Sequence, residues 1–294
     1  MNFAIRYLTK YEYDGEVVDN LNALRVKPHG NGRQRCDEFA VRLTPEVRLH
    51  RHTDYFGTEV VEFEVSRPHR NLTIDVRARV STKGPGEAPQ ATWEALSDPQ
   101  YREAGGEFLL QTDDAPDHPA LQALTATTGA ASSPLATVLL MSELIPDRFE
   151  YRRGATYVDS RISDLLEAGA GVCQDFVHLG LCLLRHHGIA ARYVSGYLFA
   201  AGSDDGQESV EVDTHAWLEA LLPNPAGGEP VWVGADPTNR LLAGETHVKI
   251  GHGRHYSDVP PIKGVYRGAA SAKLEASVTM TRLERPDPAS IARA

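Results

Sequence analysis

From residue 1 to about residue 80 apolar side chains recur at every second position, and few folds satisfy that pattern. Phe3, Ile5 and Tyr7 alternate with polar or small residues, and Leu21 to Val26 and Phe39 to Leu43 repeat the rhythm. Val60, Phe63 and Val65, then Leu72, Ile74, Val76 and Val80, extend it. Successive strand side chains point to opposite faces, so a period of two predicts strands with one buried face. Turn-forming residues separate the runs at Asp14-Gly15, Gly30-Asn31-Gly32, Thr44-Pro45, Phe56-Gly57 and Arg67-Pro68. Short strands with regular turn signals predict an antiparallel sandwich or open barrel.

The period then changes. Residues 81–90 are rich in Gly and Pro and read as a linker. Trp93 to Leu96, Pro119 to Thr127 and Ser133 to Ile145 carry helix-like spacing, and Pro134 sits where a helix start tolerates a missing N–H. Asp175 to His187 predicts a helix with Phe176, Val177, Leu179, Leu183 and Leu184 on its apolar face, stopped by Gly188. Strands are expected over residues 189–199, Thr214 to Leu222, Pro230 to Ala235 and Lys273 to Leu283. The fold class is α+β, with an N-terminal antiparallel β sandwich or barrel followed by a helix packed on an antiparallel sheet.

Composition removes several function classes. The net charge of −10 comes from interspersed acids and bases, whereas a nucleic-acid or anionic-membrane surface needs a basic patch. No stretch approaches the roughly 18 uncharged apolar residues of a membrane helix. The N-terminus carries no apolar run of signal-peptide length, so the expected compartment is cytoplasmic. Three cysteines in a chain of 294 residues do not suggest a disulfide framework, and a reducing compartment suits a catalytic thiol.

Three segments place a reactive residue at an element boundary. In Gly169-Ala170-Gly171-Val172-Cys173-Gln174-Asp175-Phe176, glycines run directly into a helix whose first turn holds Cys173. There the helix dipole and free N–H groups favour negative charge on the thiol and can stabilise an oxyanion on a substrate carbonyl. His215, in Thr214-His215-Ala216-Trp217, starts a strand, and Asp236 ends the apolar strand of Val231-Trp232-Val233-Gly234-Ala235-Asp236-Pro237. Cys, His and acid in that order supply a nucleophile, a base and an orienting carboxylate. Cys36 and Cys182 read as packing residues. Asp175 reads from its position as an exposed first-turn acid. Arg192 and Tyr193 read as strand packing, Trp217 as core, and His186-His187 as favourable neighbours of a helix C-terminus. His247, His252 and His255 fall within one expected loop without a regular ligand spacing, and no metal is expected there.

These residues resemble a known family. Gly-Val-Cys-Gln-Asp-Phe, the run from Gly188 to Tyr197, His-Ala-Trp and Asp-Pro-Thr-Asn are similar to bacterial transglutaminase-like proteins, which belong to the papain-like thiol enzymes. Tyr11 to Asp14, Leu24 to Pro28 and Asp54 to Gly57 resemble the β domain that precedes the core in that group, and Gly253 to Pro261 resembles its post-core motif. The resemblance implies a β domain over residues 1–82, a linker and helical segment over 83–150, a transglutaminase-like catalytic core over 151–262, and a C-terminal extension with a final strand over 263–294. It implies Cys173 as nucleophile, His215 as general base and acid, Asp236 as orienting carboxylate, and Asp175 as a residue shaping the site, with no cofactor and no catalytic metal. The chain departs from animal-type enzymes in having no Trp between Trp93 and Trp217, and from papain-like proteases in having Leu166, Glu167 and Ala168 where a glutamine is expected. The second oxyanion donor, beyond the Cys173 amide, is therefore unassigned. The expected reaction is acyl transfer from an amide or peptide bond through a thioester, with hydrolysis of a peptide or protein substrate favoured. Amine transfer to protein glutamine and a non-catalytic peptide-binding scaffold are the alternatives.

Overall fold

Residues 2–13 of the first strand turn Phe3, Ile5, Tyr7, Thr9 and Tyr13 inward, as the alternation requires. In the computed structural model, which describes residues 1–112, 117–200, 209–212 and 214–284, this strand does not end at Asp14-Gly15. It runs unbroken as β1 (Asn2–Leu24). The expected turn is instead a bend with a register shift between Glu12 and Val17. Asp14 is fixed there because its carboxylate accepts from the Ser271 N–H and hydroxyl, at 2.9 and 2.6 Å. The bend divides the partners of β1 between two halves of an eight-stranded antiparallel sheet.

Beyond β1 lie β2 (Gln34–Thr44), β3 (His50–Thr53), β4 (Glu59–Val65) and β5 (His69–Thr82). The first half of β1 pairs with β5, and the second half with β4. The two halves close on a shared core that includes Phe3, Val17, Leu24, Phe63, Leu72 and Ile74. Each large apolar side chain fully removed from water there contributes about 1.5–3 kcal/mol.

The helical segment contains α1 (Pro99–Gly105), α2 (Pro119–Gly129) and α3 (Pro134–Arg148). A short parallel pair, β6 (Glu150–Tyr151) with β7 (Ala170–Gly171), brackets α4 (Ile162–Ala168) and leads into α5 (Cys173–His186). The stop at Gly188 is as the sequence predicts: φ is +74°, and the Ile189 N–H closes the last turn onto Leu184 O at 2.9 Å.

The second sheet is built from β8 (Ala191–Leu198), β10 (Thr214–Leu222), β11 (Val231–Asp236), β12 (Leu241–Leu242) and β13 (His247–Gly253), after β9 (Ser209–Val212) has joined the first sheet. Its order is β12-β11-β10-β8-β13, all antiparallel. The helix α5 packs on β8 and β10, with α2 and α3 on its other side, so it is buried around its whole circumference rather than along one face. Gly180 makes this possible, since a Cβ there would lie 2.7 Å from Leu218 and 3.0 Å from Met141. Finally β14 (Ile262–Arg267) and β15 (Ala272–Leu283) return to β1 and flank it in the first sheet. Tyr197, Val248 and Ile250 of the second sheet, with Phe199 just after β8, join the core of the first. Among the described residues, no helix is long and apolar enough to cross a membrane.

Candidate active site

The approach to Cys173 is held from three sides. The β6–β7 pair sets Ala170 and Gly171 opposite Glu150 and Tyr151, and Val172 is extended at φ −116°, ψ 179° as the helix begins. Asp175 turns back so that its Oδ2 accepts from the Val172 N–H at 2.7 Å and from the Thr156 hydroxyl. This is the side-chain half of a helix cap, reversed in direction and buried. Asp175 is therefore not the exposed acid of one sequence reading. Burial pushes its carboxyl above the ordinary range, against the bonds from Thr156 and Val172 that pull it down. A Cβ on Gly171 would sit 2.8 Å from both Asp175 Oδ2 and Leu165 Cδ1, so any side chain here forces its neighbours to shift. The outcome is a half-buried thiol on the first turn of α5, where N–H groups lack intrahelical acceptors.

His215 lies on β10 opposite Gly196 of β8, with its side chain 11% exposed. Its Nε2–H donates to Asp236 Oδ2 at 2.7 Å, leaving Nδ1 for the contact with the Cys173 thiol. Burial alone would lower the imidazole pKa, but hydrogen bonds to Asp236 and Cys173 outweigh it and raise the value from 6.5 to about 9. Asp236 is fully buried at the end of β11. Its Oδ1 accepts from the backbone N–H groups of Thr238 and Asn239 at 2.9 and 3.1 Å. Its Oδ2 also accepts from the Asn239 amide at 2.8 Å. Burial disfavours the charge, yet His215 and His247 hold the carboxyl far below the ordinary carboxylate range. The structure thus brings Cys173, His215 and Asp236 together, with His215 hydrogen-bonded to Asp236 and Cys173 beside its imidazole.

A further histidine belongs to this line, one that the sequence offered only as part of an expected loop of three. His247, on β13 and only 2% exposed, reaches Asp236 Oδ2 through Nε2 at 3.1 Å. Its ring packs edge-on against Trp217, which in turn lies beside His215. The expected loop of three histidines does not form. His247 and His252 lie on β13, where His252 accepts from Arg192 at 3.1 Å, while His255 stacks on His178 with ring centroids 4.2 Å apart. His215, Asp236 and His247 offer ligand atoms within 4.8 Å of one another. However, His247 Nδ1 accepts the Gly244 N–H at 3.2 Å, which places its proton on Nε2 and suits a hydrogen-bond chain rather than metal ligation.

The other candidates are packing residues. Arg192 pairs with Glu219 at 2.6 Å and covers the Trp232 ring at 3.9 Å, and Tyr193, Trp217 and Cys182 are buried. Cys36 is half-buried on β2, its thiol directed to Glu38 O. His187 reaches Thr128 at 2.9 Å.

Comparison with known proteins finds matches along most of the chain. A bacterial transglutaminase-like N-terminal region matches residues 3–81, and the transglutaminase-like superfamily matches residues 121–237. An uncharacterized protein of Mycobacterium leprae is 33% identical over 276 residues, covering 94% of this chain and 96% of its own. An uncharacterized protein of Mycobacterium tuberculosis is 32% identical over 303 residues, covering 96% and 93%. The crystal structure of a candidate cysteine protease from Cytophaga hutchinsonii superposes with a TM-score of 0.74 at 22% identity, over 97% of this chain and 92% of that one, which establishes the shared fold.

Proposed function

Because the chain belongs to the bacterial transglutaminase-like family, we propose that it is a cysteine-dependent hydrolase of amide or peptide bonds in a peptide or protein substrate. The observation that carries this reading is the line from a helix-start thiol through His215 to a buried, fully hydrogen-bonded Asp236. Cys173 is the nucleophile. His215 holds the thiol's proton when sulfur attacks the carbonyl carbon, and the resulting oxyanion is stabilised by the Cys173 amide at the positive end of α5. His215 then protonates the departing amine and the C–N bond breaks, leaving a thioester. Water, deprotonated by His215, attacks the thioester, releasing the acid and restoring the thiol. Asp236 keeps the imidazole in one tautomer and stabilises its charged form.

Transfer to an amine would use the same thioester and differ only in the acceptor. The rim supports water as acceptor. Val158 O receives the Gln174 amide beside Cys173, while Tyr157 and Val158 stay 77% and 63% exposed, so the thiol borders an open surface. Cysteines without a disulfide among the described residues, and the composition, support a reducing, cytoplasmic setting.

The test combines thiol labelling with substrate profiling. A thiol-directed electrophile should label Cys173 ahead of Cys36 and Cys182, and replacement of His215 should remove that preference. Peptide, glutamine-amide and amine-donor libraries should then give acid products, with mass shifts on Cys173 marking the thioester. Unchanged turnover in Cys173→Ala would sink the proposal, and products carrying the amine donor would convert it to a transferase.

A further inference from the structure

We propose that His247 is a positioning residue for the reaction, a second imidazole that donates to Asp236 and sets how strongly that carboxylate holds His215. The inference rests on the triad reading above but adds a residue outside it. His247 is sealed in the sheet at 2% exposure, so its ring nitrogens must find partners within the protein. The Gly244 N–H donates to Nδ1 at 3.2 Å, and a backbone amide can only donate. The ring proton is thereby on Nε2, which faces Asp236 Oδ2 at 3.1 Å. The same oxygen accepts from His215 at 2.7 Å, so two imidazoles share one carboxylate oxygen.

This geometry has a chemical consequence. Each N–H aimed at a carboxylate spreads its negative charge and lowers its attraction for any one partner. His247 therefore moderates the pull of Asp236 on the His215 proton, allowing the imidazole to release it again to the leaving group. It also blocks rotation of the carboxylate, because Oδ1 is pinned by Thr238 and Asn239 while Oδ2 is pinned between the two rings.

The charged and titratable groups facing these residues are few. Cys173 faces His215 from α5. Glu219 on β10 and Lys249 on β13 line the same cavity as His247 but are bonded to each other at 2.6 Å, and Arg33 and Lys83, just outside β2 and β5, also line it.

The decisive experiment measures the rate of Cys173 alkylation by iodoacetate against pH, which requires no knowledge of the substrate. Iodoacetate is an anion drawn to the imidazolium, so its rate falls as His215 loses its proton. His247→Phe fills the ring's place against Trp217 without an N–H to give. It should move this alkaline fall to higher pH, and lower kcat/KM on any substrate found by roughly ten- to a hundredfold. His247→Gln, which restores a donor, should return the fall towards its original position. A wild-type profile in His247→Phe, or equal shifts in both variants, overturns the proposal while leaving the triad reading intact. A profile insensitive to replacement of His215 itself overturns both. Should the variants fail to fold, long-range 1H–15N spectra of the wild-type protein decide, with a proton on His247 Nε2 supporting the inference and one on Nδ1 overturning it.

Discussion

Two ionic clusters lie along one face of β10, His215 at one end and Glu219 four residues further in, and they are built to opposite purposes. Around Glu219, Lys249 and Arg192 each approach to 2.6 Å, Arg192 covers Trp232, and His252 closes the remaining Arg192 contact. Its titrations are strongly displaced. Burial lowers Lys249 to about 8 against the attraction of Glu219, and burial with the nearby Lys249 and Arg192 charges lowers His252 to about 2. Yet every charge there is answered by another inside the cluster. Around His215 the carboxylate is equally well answered, but the imidazole keeps one nitrogen for a half-buried thiol. Displaced titration marks both clusters. What separates a reactive site from a structural one is a hydrogen-bonding valence left open towards an accessible nucleophile.

Removing Cys173 should separate the two clusters most sharply. Cys173→Ala is expected to abolish turnover, a loss on the order of 10⁶-fold by analogy with triad nucleophiles, with an unchanged melting curve. Asp236→Asn should cost about 10⁴-fold in kcat by favouring the wrong imidazole tautomer, measured in the same assay. Glu219→Gln should do the reverse. It leaves Lys249 and Arg192 buried without their counter-charge and is expected to destabilise by about 3–5 kcal/mol, read from urea unfolding, while the remaining folded protein keeps its activity.

A smaller difference appears across pH. The folded pKa of His215, about 9, lies above its ordinary 6.5. The stabilisation from its bonds is therefore fully present below about pH 6.5 and fades as pH rises through 9. The stability gap between wild type and His215→Gln should shrink over that window by on the order of 2 kcal/mol, whereas the gap for Glu219→Gln should stay level. Gly171→Ala should have the smallest effect, about 1–2 kcal/mol by crowding Asp175 and Leu165. Its rate defect should exceed what the lost stability explains, because the crowded residue caps the helix that presents Cys173.

The sequence made the proposed triad legible because each member sits where an element starts or stops, and such junctions have local signatures. Glycines precede Cys173, and Pro237 follows Asp236. The helix over α5 and the strands β8, β10, β11 and β15 were legible for the same reason. His247 was not, because its role exists only after β13 pairs with β8, which brings it to Asp236 from outside the strand that carries the acid. Asp175 was ambiguous because its burial depends on Thr156, in the segment preceding α4. Asp14-Gly15 misled by composition alone, since the residues that straighten it into a bend come from the far end of the chain, at Ser271.

That distant partnership has a consequence for how the molecule is made. The first strand is held along its length, from Asn2 with Leu283 to Tyr13 with Ala272, by residues synthesised more than two hundred positions later. During translation β1 can pair with β4 and β5 soon after they emerge, but one flank stays bare until β14 and β15 arrive. Contacts so far apart in the chain form slowly, and an unpaired strand flank invites association with other chains. A ribosome that stalls after β13 would release a product with the thiol, the histidines and the aspartate all present, yet with its opening strand unprotected. β14 and β15 contribute none of the proposed reacting groups, yet they cover the flank of β1 that would otherwise be open to association.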